Sequence, residues 1–250
     1  MKTQIKTELE LTAQRESGKM NATILRLVGD SIQAGMTTKD LATIAATELV
    51  KLGGKPTFLG YGGFPDVICI SVNSEVVHGI PGAYVLQDGD VISYDFGVTY
   101  NGMITDAART SVVGGTATKQ VQNLVSGTLR ALDAGINVLK EGVRVGTIAA
   151  AIEAEMQKNG FGIVRDLVGH GVGHQLHEDP NIPNYSSNSK GPSLQAGMTI
   201  AIEPMSTLGS YAVYTAADGW TILSQDGSLA AHFEDTILIT DNGSEILTRL

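Results

Sequence analysis

Residues 91–113 hold the pattern that most restricts the fold of this 250-residue chain. Two β-like runs, 91–100 and 103–113, are joined by Asn101-Gly102, the dipeptide best suited to a two-residue type I′ turn because both of its positions need positive φ. A turn at that place sets the register, so that Asp95 faces Ala108 and Gly97 faces Asp106. Asp95 and Asp106 then share one face as diagonal neighbours, with Cα atoms roughly 7–8 Å apart, and Gly97 is expected to leave empty space beside them. Two carboxylates converging on an otherwise apolar sheet repel each other and resist ionisation unless a cation lies between them. Taken alone, the pair reads equally well as a solvated face.

The rest of the chain alternates in texture. Residues 7–54 read as two helices, with apolar positions recurring at helical spacing through Ile24, Leu25, Val28 and Ile32. Thr37-Thr38-Lys39-Asp40 caps the second helix, and Gly53-Gly54 ends it. Residues 56–113 are short β-branched runs punctuated by Gly and Pro, residues 118–139 and 146–159 return to helical periodicity, and the chain after Gly160 is strand-like, with Asp218-Gly219 and Asp226-Gly227 as turns. Helices, strands, helices, strands suggests two similar halves, although no sequence repeat links them. The expected fold is α+β: one central, mainly antiparallel sheet with helices on its outer side, in a single catalytic domain over residues 1–250.

Charge and cysteine content exclude several function classes. The net charge is -9, from 17 basic and 26 acidic residues, and the basic residues form no stripe, which argues against a nucleic-acid ligand. One cysteine, Cys69, allows no internal disulfide and points to a reducing compartment. The polar start MKTQIKTELELTAQRES is unlike a signal peptide, and no run approaches the roughly 20 apolar residues that span a bilayer. A cytoplasmic protein without a membrane partner is expected.

Further candidate ligands join the two aspartates. Of the five histidines, His78, His170, His174 and His177 fall in Gly- or Pro-punctuated segments where little regular structure is expected, and His170 is framed by Gly169, Gly171 and Gly173, which would let a bound ion or ligand approach the backbone. Glu203 closes an alternating run, 198–203, just before Pro204, and Glu234 is expected inside an apolar strand, 231–240. Four carboxylates with one imidazole make a hard, oxygen-rich site, suited to two Mn²⁺, Fe²⁺, Co²⁺ or Zn²⁺ ions and unlike a closed structural zinc. Two ions at bridging distance activate a shared water and stabilise the oxyanion that its attack creates.

Other motifs fail. Pro65 stands where the Gly60-Tyr61-Gly62-Gly63-Phe64 run would need the third glycine of a dinucleotide fingerprint, His177-Glu178-Asp179-Pro180 lacks a zincin's second histidine, and no Gly-x-Ser-x-Gly elbow occurs. Cys69, in an apolar run at 67–72, reads as core or pocket lining and not as a nucleophile. The Asn-, Ser- and Pro-rich stretch 181–192 reads equally as a loop near a functional site or a plain connection.

Seven motifs in order carry a family resemblance: Val76-Val77-His78-Gly79-Ile80-Pro81, Tyr94-Asp95-Phe96-Gly97, Thr105-Asp106, Gly169-His170-Gly171-Val172-Gly173, His177-Glu178-Asp179-Pro180, Ile202-Glu203-Pro204 and Phe233-Glu234-Asp235-Thr236. The chain resembles the type I methionine aminopeptidases, of the pita-bread fold shared with creatinase and the proline-specific aminopeptidases. The short spacing from His170 to Glu203 leaves no room for the inserted subdomain of the type II enzymes, and a zinc-binding N-terminal extension like that of some relatives is not expected.

The resemblance implies removal of the N-terminal methionine from nascent proteins and peptides. Asp95 would bind one ion through both oxygens, Asp106 and Glu234 would bridge the pair, and His170 with Glu203 would complete the other ion. Glu203 would also be the general base, His78 would contact the scissile amide nitrogen, and His177 would steady the carbonyl oxygen. The methionine pocket would be walled by Tyr61, Phe64, Cys69, Leu176 and Trp220, with Leu176 where an aromatic residue is expected and Phe64 lacking a tyrosine's hydroxyl. His174 and His232 receive no role and are expected to be structural. The expected partners are peptide and nascent-chain N-termini and, transiently, the ribosome, with the enzyme a monomer. Two rivals are a prolidase-like or proline-specific aminopeptidase, which would need a larger N-terminal domain than the 94 residues before Asp95, and an inactive peptide-binding relative, which would have lost ligands that this chain keeps.

Overall fold

Asn101 and Gly102 take φ values of 47° and 80° in the computed structural model, which describes residues 5–250. The turn they make holds Val91–Tyr100 against Met103–Val112 in the register expected from it, Asp95 opposite Ala108 and Gly97 opposite Asp106. Gly97, however, leaves no void. A Cβ there would stand 2.7 Å from Phe58 Cε1 and 2.9 Å from Thr57 Cβ, so the missing side chain admits the ring of Phe58. The other edge of Val91–Tyr100 is shared by Cys69–Val72 and Lys55–Pro56, which places Cys69 directly beside Asp95.

The β structure of the described residues divides into four hydrogen-bonded sheets, antiparallel throughout. Besides the sheet of the hairpin there is a five-stranded one, ordered Gly243–Ile246, Asp235–Thr240, Thr199–Ile202, Gly169–Gly171 and Glu178–Ile182, and two three-stranded ones. The two larger sheets meet where Ala108 pairs with Glu234 through reciprocal backbone hydrogen bonds of 3.2 and 3.0 Å. This junction corrects the expectation of an unbroken strand over 231–240. Ala230–His232 pairs with Met205–Thr207, Asp235–Thr240 pairs with Thr199–Ile202, and the chain changes sheets at Phe233-Glu234 in order to bond to the hairpin.

Helices α1 (Glu8–Ser31), α2 (Thr38–Leu52), α3 (Lys119–Asn137) and α4 (Val145–Lys158) cover the sheets. Both of the first two open with capping boxes, Thr7 with Glu10 and Thr37 with Asp40, and α2 closes on Gly53 in the left-handed conformation. Each such cap is worth about 1 kcal/mol. The apolar side chains form two principal cores. One joins α1 and α2 to the hairpin sheet through Ile24, Leu25, Leu41, Ile70 and Phe96; the other joins α3 and α4 to the five-stranded sheet through Leu132, Ile148, Ile200, Ile202 and Ile237. They correspond to the two halves expected from the element order.

The buried face of α1 is not wholly apolar. Gln14, Ser17 and Asn21, at helical spacing, are fully buried and donate to the sheet backbone: Gln14 to Ile104 O at 2.8 Å, Ser17 to Val98 O at 2.8 Å, Asn21 to Phe96 O at 2.6 Å. Gln14 also donates to the Thr199 hydroxyl at 3.2 Å, and so spans from the hairpin to the five-stranded sheet. These bonds anchor α1 on the sheet and give its buried amide and hydroxyl donors partners. No helix among the described residues is long and apolar enough to cross a membrane.

Candidate metal centre and pocket

One cleft is lined by Asp95, Asp106, His170, Glu203 and Glu234 at its floor, and by Tyr61, Phe64, Cys69, His78, Leu176, His177 and Trp220 around them. It therefore brings together every residue expected at the metal site and in the methionine pocket. Phe58 and Val77 line it as well; nothing in the sequence marked them, since both are apolar residues in apolar surroundings.

Each floor residue arrives by a different backbone device. The hairpin register carries Asp95 and Asp106, and the sheet junction turns Glu234 toward them. Glu203 follows immediately on the strand Thr199–Ile202, and its carbonyl accepts a 3.0 Å hydrogen bond from Asn184, a fully buried residue of the stretch 181–192. His170 is not in an irregular segment but at the centre of the strand Gly169–Gly171. The glycines beside it serve strand packing: a Cβ on Gly169 would lie 2.4 Å from Ala201 O, and one on Gly171 2.2 Å from Asp179 O.

The electrostatics of the floor call for cations. Asp106, Glu234 and His170 each present a ligand atom, all within 4.8 Å of one another. Asp95 Oδ1, Asp106 Oδ1 and Glu234 Oε1 are buried without any hydrogen-bond partner, an arrangement that costs several kcal/mol for charged groups unless something positive compensates. Burial pushes the Asp106 carboxyl up to about 7. It raises Asp95, Glu203 and Glu234 well above the usual carboxylate range too, and charge repulsion within the cluster raises them further. His170 Nδ1 faces the Gly171 carbonyl at 2.9 Å; a carbonyl only accepts, so Nδ1 carries the proton and Nε2 keeps its lone pair, 3.4 Å from Glu203 Oε1. Burial holds this imidazole down to about 3, hence neutral and able to ligate. Oxygen-rich donors, orphaned acceptors and one free imidazole nitrogen fit divalent metal ions.

Two further imidazoles flank the floor. His78 has φ 60°, a left-handed conformation unusual for a residue with a side chain, and burial lowers its ring to about 4. His177 Nδ1 lies 2.7 Å from the Tyr61 hydroxyl, and its ring stands edge-on to that of His170 with centroids 4.4 Å apart. The loop before His177 is tied down by Glu178, whose Oε1 accepts from the amides of His174 and Gln175 at 2.7 and 3.0 Å, while Oε2 pairs with the buried Lys6 at 2.9 Å. The apolar end of the cleft is a cluster of Phe58, Phe64, Cys69, Leu176 and Trp220, with Phe64 edge-on to Trp220 at 5.2 Å. The Cys69 thiol is driven well up by burial and then by the neighbouring carboxylates, which removes it as a nucleophile.

The two remaining histidines differ. His174 bonds Glu10 at 2.8 Å, outside the cleft. His232 is fully buried, with Nε2 3.8 Å from Glu203 Oε2 and 4.0 Å from Glu234 Oε2. It was expected to be structural, and its ring faces the carboxylate floor. The only signal in the sequence was its place two residues before Glu234.

Comparison with known proteins agrees with this geometry. Residues 12–241 match metallopeptidase family M24. The methionine aminopeptidase of Clostridium perfringens is 44% identical over 244 residues, covering 98% of each chain, and methionine aminopeptidase 1 of Bacillus subtilis is 46% identical over 245 residues, again covering 98% of each. The crystal structure of methionine aminopeptidase from Thermotoga maritima superimposes with a TM-score of 0.97 at 44% identity, over 99% of this chain and 100% of that one. The architecture is accordingly the pita-bread fold. The chain belongs to metallopeptidase family M24 and, within it, to the methionine aminopeptidases.

Proposed function

We propose that this enzyme removes the N-terminal methionine of peptides and nascent chains with two divalent ions held by Asp95, Asp106, His170, Glu203 and Glu234. The observation that carries the reading is the set of buried carboxylate oxygens without partners, gathered beside the free Nε2 of His170. Asp106 and Glu234, joined through the sheet junction, would hold the ions together with Asp95, His170 and Glu203. The donor set suits Mn²⁺, Fe²⁺, Co²⁺ or Zn²⁺. Bound there, the ions supply an activated water and charge stabilisation at the peptide carbonyl.

The protein's own groups complete the reaction. Glu203, whose carboxyl burial raises well above its ordinary range, takes the proton from the attacking water and passes it to the departing amine. His78 holds the scissile amide nitrogen, and His177, steadied by Tyr61, donates to the carbonyl oxygen as it gains charge. Phe64, Cys69, Leu176 and Trp220 enclose an unbranched thioether side chain, for which soft aromatic walls are well suited, and Tyr61 stands at the exposed rim. Leu176 gives this wall a branched aliphatic surface where an aromatic ring was expected.

The whole chain acts as one catalytic domain in this reading, because the junction between its halves is also the floor of the site. In this reading it is a monomer that meets nascent chains transiently at the ribosome, and a single cysteine that is free and buried suits the cytoplasm. The test is release of free methionine from a peptide with a small second residue. Activity should vanish on chelation and return with Mn²⁺ or Co²⁺. Equal release of other N-terminal residues would refute the side-chain assignment, and activity that survives chelation would refute the metal.

A further inference from the structure

His232 ends the strand Ala230–His232, is 1% exposed, and has no hydrogen-bond partner on either ring nitrogen. Burying an imidazole in that condition loses the hydration of two polar atoms and recovers nothing, so an apolar side chain of similar size would fill the position better. What the ring faces explains its presence. Nε2 lies 3.8 Å from Glu203 Oε2 and 4.0 Å from Glu234 Oε2, and the other oxygen of Glu203 faces His170 Nε2 at 3.4 Å. The Glu203 carboxylate thus stands between two imidazoles.

Comparing the two rings separates their roles. His170 has its Nδ1–H anchored on the Gly171 carbonyl, the arrangement that fixes the tautomer and direction of a metal ligand. His232 Nδ1 has no acceptor, so nothing orients that ring as a ligand. Its Nε2 is turned toward two carboxyl groups that accept when ionised, so a proton on Nε2 would find acceptors there. We infer that His232 is a positioning residue of the metal centre: an imidazole whose Nε2 faces Glu203 and Glu234 and would restrain their carboxylates for metal binding. The inference rests on the proposed metal site.

Two substitutions test it. His232→Gln keeps an N–H donor, whereas His232→Leu keeps the bulk and removes the donor. Mn²⁺ affinity of chelator-treated protein by calorimetry, kcat and KM on a methionyl peptide, and the melting temperature without metal are measured for both and for the unaltered enzyme. In the leucine variant, Mn²⁺ affinity and kcat should each fall about 10–100-fold, the range typical of groups that orient metal ligands. KM should change little, and the metal-free melting temperature should equal or exceed that of the unaltered enzyme. The glutamine variant should recover most of the affinity and rate.

A leucine variant that binds Mn²⁺ and turns over within threefold of the unaltered enzyme would overturn the inference. So would equal impairment of both variants, or a lower metal-free melting temperature in both, since either result means that only shape matters. If the unaltered enzyme binds no Mn²⁺, the proposed metal site itself fails, and the role of His232 falls with it.

Discussion

The Thr236 hydroxyl closes both hydrogen bonds of the Asp106 backbone, accepting from its N–H at 2.9 Å and donating to its C=O at 2.8 Å. A side chain thus does the work of a paired strand where the two large sheets meet. Beside it, Arg109 donates to the Glu234 carbonyl and to Asp235 Oδ1. Asp106 and Glu234 are thereby locked to each other before any ion arrives.

Replacing Thr236 with valine keeps the shape and removes both bonds. Each buried group left without a partner costs about 1–3 kcal/mol, so Thr236→Val, which strands two, should lower unfolding stability by about 2–6 kcal/mol in denaturant titration and weaken metal binding. Thr236→Ser should retain most of both. Unchanged metal affinity in the valine variant would show that the junction does not position the ligands.

Lys6 and Glu178 form an ion pair with side-chain exposures of 0% and 4%. Removing one partner of such a pair typically costs about 3–5 kcal/mol, because the other is left as an uncompensated buried charge. Lys6→Met should show that loss, together with a lower kcat, since Glu178 holds the loop that ends at His177. Adding Glu178→Gln should restore part of the stability. A double-mutant cycle without coupling would contradict the buried pairing.

How much of this was legible in the sequence depends on how local the cause is. The Asn101-Gly102 turn, the Thr37–Asp40 cap and the Gly53 stop are set by neighbouring residues, and the structure follows them. The break at Phe233-Glu234 was not legible, because it results from pairing with Ala108, 126 positions away by number. The burial of Gln14, Ser17 and Asn21 was not legible either, because their partners are sheet carbonyls far away in the chain. His232 was missed for the same reason: no residue near it in the chain announces Glu203. Gly97 was expected to leave empty space, and Gly169 and Gly171 to admit an ion or ligand; what approaches them is a Phe58 ring and neighbouring strands.

Stability of the metal-free enzyme should depend on pH in two opposed ways. Burial lowers His78, His170 and His232 to about 4, 3 and 3, so the unfolded chain binds their protons first, and stability from them rises with pH up to about 6.5. Burial raises Asp106 to about 7, and Asp95, Glu203 and Glu234 also rise, so the folded chain binds those protons more tightly and stability from them falls as pH rises. Above about pH 6.5 only the second slope remains. The melting temperature of chelator-treated protein should therefore drop from pH 6.5 to 8.5, and Mn²⁺ should abolish the drop. A flat profile without metal would contradict the buried cluster.

His78→Ala should retain metal while lowering kcat by about 10²–10³-fold, the usual effect of losing one preorganised hydrogen-bonding group at the reacting centre. Metal content and peptide kinetics measured on one preparation check it. Loss of metal with the rate would place His78 among the ligands.

The central claim is that two ions sit between four buried carboxylates and His170, and that methionine release depends on them. Metal content per chain, measured beside methionine release on unaltered enzyme and on Asp106→Asn, tests it most directly. Activity should rise with bound metal toward two ions per chain, and Asp106→Asn should give a folded protein with neither full metal content nor turnover. An Asp106→Asn protein that still binds two ions, or unaltered enzyme fully active without metal, would contradict it.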